Sequence, residues 1–171
     1  MGFGIPSSIG VSVAFAGRRV LTIVGDGGFQ LNIQELQTIS QRKLPIKIFV
    51  IQNGGYHAIR VTQDTYFNKN YIGSSEEFGV TIPSFKKIAS TYNFKYSVIK
   101  NNFMLKKQVI KTLKNNHPEI IELIVDPKKH LYPKLASKIN DDGSMFTPPL
   151  EDLFPFLNRD EYNQNMIAKK N

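Results

Sequence analysis

Two glycine-rich turns, each placed directly after a strand-like apolar run, constrain this chain most. The first, Gly-Asp-Gly-Gly at 25–28, follows the apolar run at 20–24. The second, Asn-Gly-Gly-Tyr at 53–56, follows the apolar run at 46–51. Short β-branched runs bounded by glycine predict strands, and the helical pattern at 32–41 between them predicts a parallel pair. The carboxyl ends of parallel strands lie at one edge of a sheet, so both turns are expected there.

The side chains in these turns suit a magnesium ion and a diphosphate. The Asp26 carboxylate and the Asn53 amide oxygen are hard donors of the kind that Mg²⁺ prefers. The glycines allow backbone N–H groups to approach phosphate oxygens without a Cβ in the way. A helix expected to start near Phe29 would direct its positive end toward the same anion.

Two common nucleotide-binding patterns are each missing a residue. A dinucleotide fingerprint that opened at Gly25 would need glycine where the chain has Gln30, and no Walker lysine follows the glycines. Either turn alone is also an ordinary feature, because Gly-Asp-Gly is a common turn and Asn-Gly a common hairpin signal. The functional interpretation therefore depends on finding both turns at the correct separation, each after a strand.

The stretch from 25 to 56, GDGGFQLNIQELQTISQRKLPIKIFVIQNGGY, resembles the thiamine diphosphate-dependent enzymes, in particular their acetolactate synthase branch. Upstream, MGFGIPSSIG at 1–10 is similar to a conserved-looking segment of that branch at its usual distance. The resemblance is dense from residue 1 to about 60 and thins out afterwards. It implies an α/β fold, a parallel sheet with helices on both faces, truncated at its N-terminus.

The resemblance also implies a set of site residues. Asp26 and Asn53 match side-chain ligands of Mg²⁺, and Gly55 matches the residue that offers a backbone carbonyl to the metal. The expected cofactor-binding residues are Met1, Gly25, Asp26, Gly27, Gly28, Asn53, Gly55, Tyr56 and His57. Gly27 and Gly28 match backbone donors to the diphosphate, and Met1 matches an apolar residue that supports the bent cofactor. One departure is Gln52, which stands where the family usually has Asn.

As to function, the resemblance implies decarboxylation of a 2-oxo acid, pyruvate being the expected one, and transfer of the resulting acyl carbanion equivalent to a carbonyl acceptor. Thiamine diphosphate and Mg²⁺ are the expected cofactors. The family's acid–base Glu belongs to a pyrimidine-binding domain, on the same or another chain, so no catalytic residue is assigned and this chain alone is expected to be inactive. We interpret Glu35 as a structural helix residue.

Three alternatives stay open. The tail segment at 145–152 is similar to tails of relatives from sugar biosynthesis, which would favour a carboligase acting on a sugar-nucleotide ketone. Simple decarboxylation of a 2-oxo acid is the second alternative. A non-catalytic cofactor-binding or assembly module is the third, because the Glu-bearing domain is absent from this sequence.

Composition excludes several other classes. The chain has no Cys, and its three His, at 57, 117 and 130, lack zinc-ligand spacing. The net charge of +8 comes from Lys spread along helical faces without an Arg-rich or aromatic patch, so no nucleic-acid partner is expected. No apolar run is long enough to cross a bilayer, so no membrane partner is expected either. We expect a cytoplasmic protein and a homo-oligomer in full-length form.

Apolar periodicity predicts the remaining elements. Helices are expected near 6–16, 32–41, 57–67, 83–92 and 103–115, and further strands at 95–99 and 120–125. The stretch at 68–82 is expected to be a loop that covers the site. Residues 1–126 are expected to form the cofactor-binding domain, with an exposed edge or apolar patch. Residues 127–171 are expected to form an extended tail with a short helix near 150–157 and frayed residues from about 163.

Overall fold

The computed structural model describes residues 1–129 and 131–166. The chain forms two compact units, Met1–Lys128 and Lys129–Asn171. His130 and the end of the expected frayed segment, 167–171, lie outside the described residues. The predicted domain boundary at residue 126 stays a prediction.

Four parallel strands form the sheet of the first unit. They are β1 (Val20–Gly25), β2 (Ile46–Gln52), β3 (Lys95–Ile99) and β4 (Glu119–Ile124), in the order β1-β2-β4-β3. β1 pairs with β2 so that Gly25 lies opposite Ile51. Asp26 and Asn53 therefore follow strand ends at the same edge of the sheet, as the sequence predicts.

Helices connect the strands. They are α1 (Gly4–Ala14), α2 (Asp26–Gln30), α3 (Glu35–Gln41), α4 (His57–Tyr66), α5 (Phe85–Thr91) and α6 (Asn102–Thr112). Ser84 and Asn101 cap α5 and α6, because their side-chain oxygens accept hydrogen bonds from backbone N–H groups in the first turn. Across the described residues, no helix is both long enough and apolar enough to cross a membrane.

Alternation along β2 divides the core between the two faces of the sheet. Ile46, Ile48 and Val50 join the larger core, where side chains of α1, α2, α3 and α5 are buried. Phe49 belongs to a second cluster with Ile99 and Ile121, against which Val109 of α6 packs. Since each face is covered by helices, the fold prediction is confirmed.

β1 forms one edge of this sheet and keeps apolar side chains exposed. Leu21 is 52% exposed and Ile23 is 73% exposed, although both are strand residues. The structure thus has the exposed edge and apolar patch that the sequence predicts, a surface of a kind that proteins usually cover.

The second unit differs from its prediction. Strands β5 (Lys138–Ile139) and β6 (Met145–Phe146) pair antiparallel, and one helix, α7, spans Arg159–Asn165. The helix expected near 150–157 is wrong, because Pro155 lies inside that range and Asn158 caps the helix that follows it by accepting from the Asp160 N–H. The fraying expected from 163 is also wrong for 163–165, which belong to α7.

A buried ion pair holds the amino ends of the strands, opposite the edge with the glycine turns. Lys47 and Glu119 lie side by side on β2 and β4, with Lys47 Nζ 3.3 Å from Glu119 Oε2. The ammonium also donates to Asn115 Oδ1 at 3.1 Å and to the His117 carbonyl at 2.7 Å. Burial lowers the pKa of Lys47, and the Glu119 charge opposes that shift. Every proton of this buried amine therefore has an acceptor.

Removing one member of the pair is expected to destabilise the fold. Lys47→Met leaves the Glu119 carboxylate buried without its cation, which costs about 3–5 kcal/mol of the free energy of unfolding. Denaturation by urea measures this loss. The matched control is Lys95→Met, at an exposed lysine one strand away, with an expected change within about 0.5 kcal/mol. Equal losses in the two variants would contradict the assignment.

Candidate functional site

The Asp26 carboxylate joins the two glycine turns. It is 1% exposed, and its Oδ2 atom accepts hydrogen bonds from the Asn53 N–H at 3.1 Å and the Gly55 N–H at 2.9 Å. Its Oδ1 atom accepts from the Gly27 N–H at 2.7 Å. A carboxylate that accepts three backbone N–H bonds is well suited to remain ionised in a buried position.

The helix after β1 starts earlier than predicted. It begins at Asp26 rather than near Phe29 and has only five residues. A helix this short has a small dipole, so the attraction of an anion to this edge depends on individual N–H groups rather than on the helix as a whole.

Asn53 supplies a second oxygen donor at this edge. Its Oδ1 atom is buried, and it has no hydrogen-bond partner within residues 1–129 and 131–166. A buried amide oxygen without a donor costs free energy unless something else satisfies it. A cation bound beside the neighbouring Asp26 carboxylate would do so, since both groups are hard oxygen ligands.

Two glycines leave room that any side chain would fill. A Cβ added at Gly27 would lie 2.4 Å from the Tyr56 ring, so the ring packs directly on the first turn. Gly55 has a φ of +117°, and a Cβ there would lie 2.6 Å from the Ser74 carbonyl oxygen. These contacts explain why the sequence has glycine at both positions.

The chain's first residues lie against the first turn. The Gly2 backbone nitrogen would be 3.9 Å from a Cβ added at Gly28, and the Gly2 carbonyl accepts from Asn32 Nδ2 at 2.9 Å. Met1 itself is 80% exposed. The structure thus brings Met1 next to the turn through Gly2, and the supporting role expected for Met1 stays a prediction.

Tyr56 and His57 continue the second turn into α4. The Tyr56 N–H donates to the Ser74 carbonyl at 2.9 Å, and the His57 N–H donates to the Gly55 carbonyl at 2.9 Å. Gly25, the last residue of β1, has an extended backbone that leads into α2. All the residues predicted for the site therefore lie in or next to the two turns.

Arg60 is a contributor that the sequence analysis missed. Its guanidinium donates to three backbone carbonyls, those of Asn53 at 2.6 Å, Gly54 at 2.9 Å and Ser74 at 3.2 Å. A basic residue one turn into the helix that follows Asn-Gly-Gly was the available signal. Ser74, which is fully buried, belongs to the 68–82 loop, so this loop contacts the site directly.

The glutamates of the described chain have other surroundings. Glu35 Oε2 accepts from Thr38 Oγ1, Glu119 pairs with Lys47, and Glu122 accepts from the Tyr96 hydroxyl. Within the described ranges, no three His, Cys, Asp or Glu side chains come together as a metal-binding group. A metal at the two turns would therefore depend on mixed donors, with Asp26 as the carboxylate.

We expect Gly55→Ala to destabilise the protein by about 1–3 kcal/mol, because it adds backbone strain and a contact with the Ser74 carbonyl. The control is Gly79→Ala, since Gly79 has a φ of +89° but nothing within 4 Å of an added Cβ. Its loss should be smaller and should report strain alone. Urea denaturation of both variants measures the difference, and equal losses would mean that crowding by Ser74 costs nothing.

Comparison with known proteins agrees with this geometry. Residues 1–123 match the family "Thiamine pyrophosphate enzyme, C-terminal TPP binding domain". The acetolactate synthase large subunit of Porphyra purpurea is 33% identical over 136 residues, which cover 80% of this chain and 23% of that protein. The corresponding subunit of Lactococcus lactis is 30% identical over 156 residues, which cover 90% of this chain and 26% of that protein.

A solved structure gives the same result. The thiamine diphosphate-dependent 4-hydroxybenzoylformate decarboxylase of Rhodococcus jostii RHA1 superposes with a TM-score of 0.66 at 25% identity, over 74% of this chain and 23% of that one. The chain thus spans about a quarter of the length of the relatives that it matches. The chain belongs to the thiamine pyrophosphate enzymes, and residues 1–123 correspond to their C-terminal cofactor-binding domain.

Proposed function

We propose that the two glycine turns hold Mg²⁺ and the diphosphate of thiamine diphosphate. The observation that supports this most is the pairing of a buried carboxylate, Asp26, with a buried and unpartnered amide oxygen, Asn53 Oδ1, among the described residues. The two residues are in direct contact, since the Asn53 N–H donates to Asp26. A divalent cation between them would satisfy the amide oxygen and balance the carboxylate.

Three ligands of the metal come from this chain in the proposal. Asp26 and Asn53 provide side-chain oxygens, and Gly55 provides its carbonyl, which accepts only the His57 N–H in the described chain and keeps a second lone pair. The diphosphate would complete the coordination, as phosphate groups commonly do for Mg²⁺. Gly25, Gly27 and Gly28 would let it approach the backbone, with Tyr56, His57 and Met1 around it.

The proposed activity is that of an acetolactate synthase-like enzyme. When bound, thiamine diphosphate supplies the electron sink for decarboxylating a 2-oxo acid, pyruvate being the first candidate, and for passing the acyl group to a carbonyl acceptor. The part of this chain is to hold the cofactor's charged end in a fixed position. Its similarity to acetolactate synthase large subunits supports that choice among the family's reactions.

We further propose that a pyrimidine-binding domain, on the same or another chain, completes the site. The described glutamates in contact with other side chains are engaged away from the glycine turns, so the acid–base group would come from that partner. A homo-oligomer and a cytoplasmic location belong to the same proposal. Mixing this chain with such a domain should give CO₂ release that requires thiamine diphosphate and Mg²⁺, and no turnover with any partner would reject catalytic competence.

Simple decarboxylation is a second candidate. The structural relative from Rhodococcus jostii RHA1 is a 4-hydroxybenzoylformate decarboxylase, so this fold also serves that reaction in another protein. Product analysis with pyruvate alone and with pyruvate plus an added keto acid or keto-sugar would separate decarboxylation from carboligation.

Thiamine diphosphate binding should depend on the Asp26 charge. Asp26→Asn keeps the shape of the side chain but removes the negative charge and one acceptor. Changes in groups that only orient a ligand cost about 10–100-fold in metal affinity, so we expect at least that loss for a direct ligand. Calorimetric titration of the whole chain with Mg²⁺ at a fixed concentration of thiamine diphosphate measures it.

The control for this titration is Glu35→Gln, at a carboxylate whose described contact is with Thr38 of its own helix. Its Mg²⁺ affinity should stay within about twofold of the unmodified chain, because surface changes away from a site have small effects. Unchanged binding in Asp26→Asn would show that the metal site is misassigned.

A further inference from the structure

We propose that Arg60 is a positioning residue that fixes the turn at 53–55 and joins it to the 68–82 loop. The inference rests on the proposed function, because it assigns Arg60 to the same magnesium and diphosphate site. Arg60 would act through the turn and would contact neither the metal nor the cofactor.

The first step of the argument is the guanidinium geometry. Nη2 donates to the Asn53 carbonyl at 2.6 Å and Nη1 donates to the Gly54 carbonyl at 2.9 Å. Two successive carbonyls of one turn thus converge on the same cation. Only the rigid fork of arginine presents separate donors at this spacing, whereas the single ammonium of lysine does not.

The second step is that the turn is held from two sides. Its N–H groups, at Asn53 and Gly55, donate to the Asp26 carboxylate, while two of its carbonyls accept from Arg60. Gly54 and Gly55 have φ values of +79° and +117°, which a free chain does not strongly prefer. With both sides fixed, the Asn53 side chain starts from a defined backbone, as a metal ligand requires.

The third step concerns the loop. One face of α4 contacts it through three residues in succession: Arg60 with the Ser74 carbonyl, Gln63 with the Ile72 carbonyl at 2.9 Å, and Asp64 with the Tyr71 hydroxyl. The loop therefore runs antiparallel to α4. Gln63 and Asp64 hold the loop alone, but Arg60 holds the loop and the turn together.

This arrangement allows a matched test with three variants of the whole chain. Arg60→Met removes all the donors, Arg60→Lys keeps the charge without the fork, and Gln63→Met detaches the loop at Ile72 but leaves the turn contacts in place. Two readouts are measured: amide hydrogen exchange at 53–56 without any cofactor, and the Mg²⁺ dissociation constant at a fixed concentration of thiamine diphosphate. Circular dichroism melts establish that each variant is folded.

We expect Arg60→Met to raise the Mg²⁺ dissociation constant by about 10–100-fold and to speed exchange of the Asn53 and Gly55 amides. Arg60→Lys should lie between Arg60→Met and the unmodified chain. Gln63→Met should speed exchange in the loop only, with a Mg²⁺ affinity within about twofold of the unmodified chain.

Two results would overturn the inference. One is unchanged amide exchange at 53–56 in Arg60→Met, and the other is an equal effect of Gln63→Met on the turn, which would reduce Arg60 to a loop anchor. If the unmodified chain binds no Mg²⁺ and thiamine diphosphate, the proposed function fails. The exchange rates without cofactor then still decide whether Arg60 fixes the turn.

Discussion

The site depends on one carboxylate that accepts hydrogen bonds from a distant turn. Asp26 lies just after β1, and the two amides that donate to its Oδ2 atom, those of Asn53 and Gly55, lie just after β2. The parallel pairing of β1 with β2 brings these strand ends side by side, and the carboxylate then sets the spacing between the turns. Without this acceptor, two buried N–H groups would lose their partner, at a cost of about 1–3 kcal/mol each.

The sheet separates binding from stability at its two ends. At the carboxyl ends of the strands, glycines and an unpartnered amide oxygen leave polar groups available, an arrangement that costs stability until a ligand is bound. At the amino ends, Lys47 and Glu119 are fully satisfied by each other and by neighbouring groups. A buried pair of this kind contributes little net stability but strongly disfavours any pairing of β2 and β4 out of register.

Much of the first unit could be predicted because its signals are local. The strand runs are short, apolar and bounded by glycine or proline, and the site residues lie next to them in sequence. The start of α2 could not be predicted in this way, because Asp26 begins the helix while its carboxylate bonds with a turn 27 residues away. Arg60 was missed for a similar reason: its partners are carbonyls, which every residue has, so no side-chain pattern reveals them. The tail helix was misplaced since aromatic residues around Pro155 suggested a buried helix where the cap at Asn158 starts one later.

The glycine at position 55 shows how these constraints are connected. Its N–H donates to Asp26, its carbonyl accepts from His57, and its α-carbon lies too close to the Ser74 carbonyl for any side chain. The same Ser74 carbonyl accepts from the Tyr56 N–H and from Arg60. One loop oxygen therefore reads the position of the whole turn, so a shift of the 68–82 loop would displace the backbone on which the Asn53 and Gly55 oxygens depend. Closure of the loop and formation of the metal site are, in physical terms, the same equilibrium.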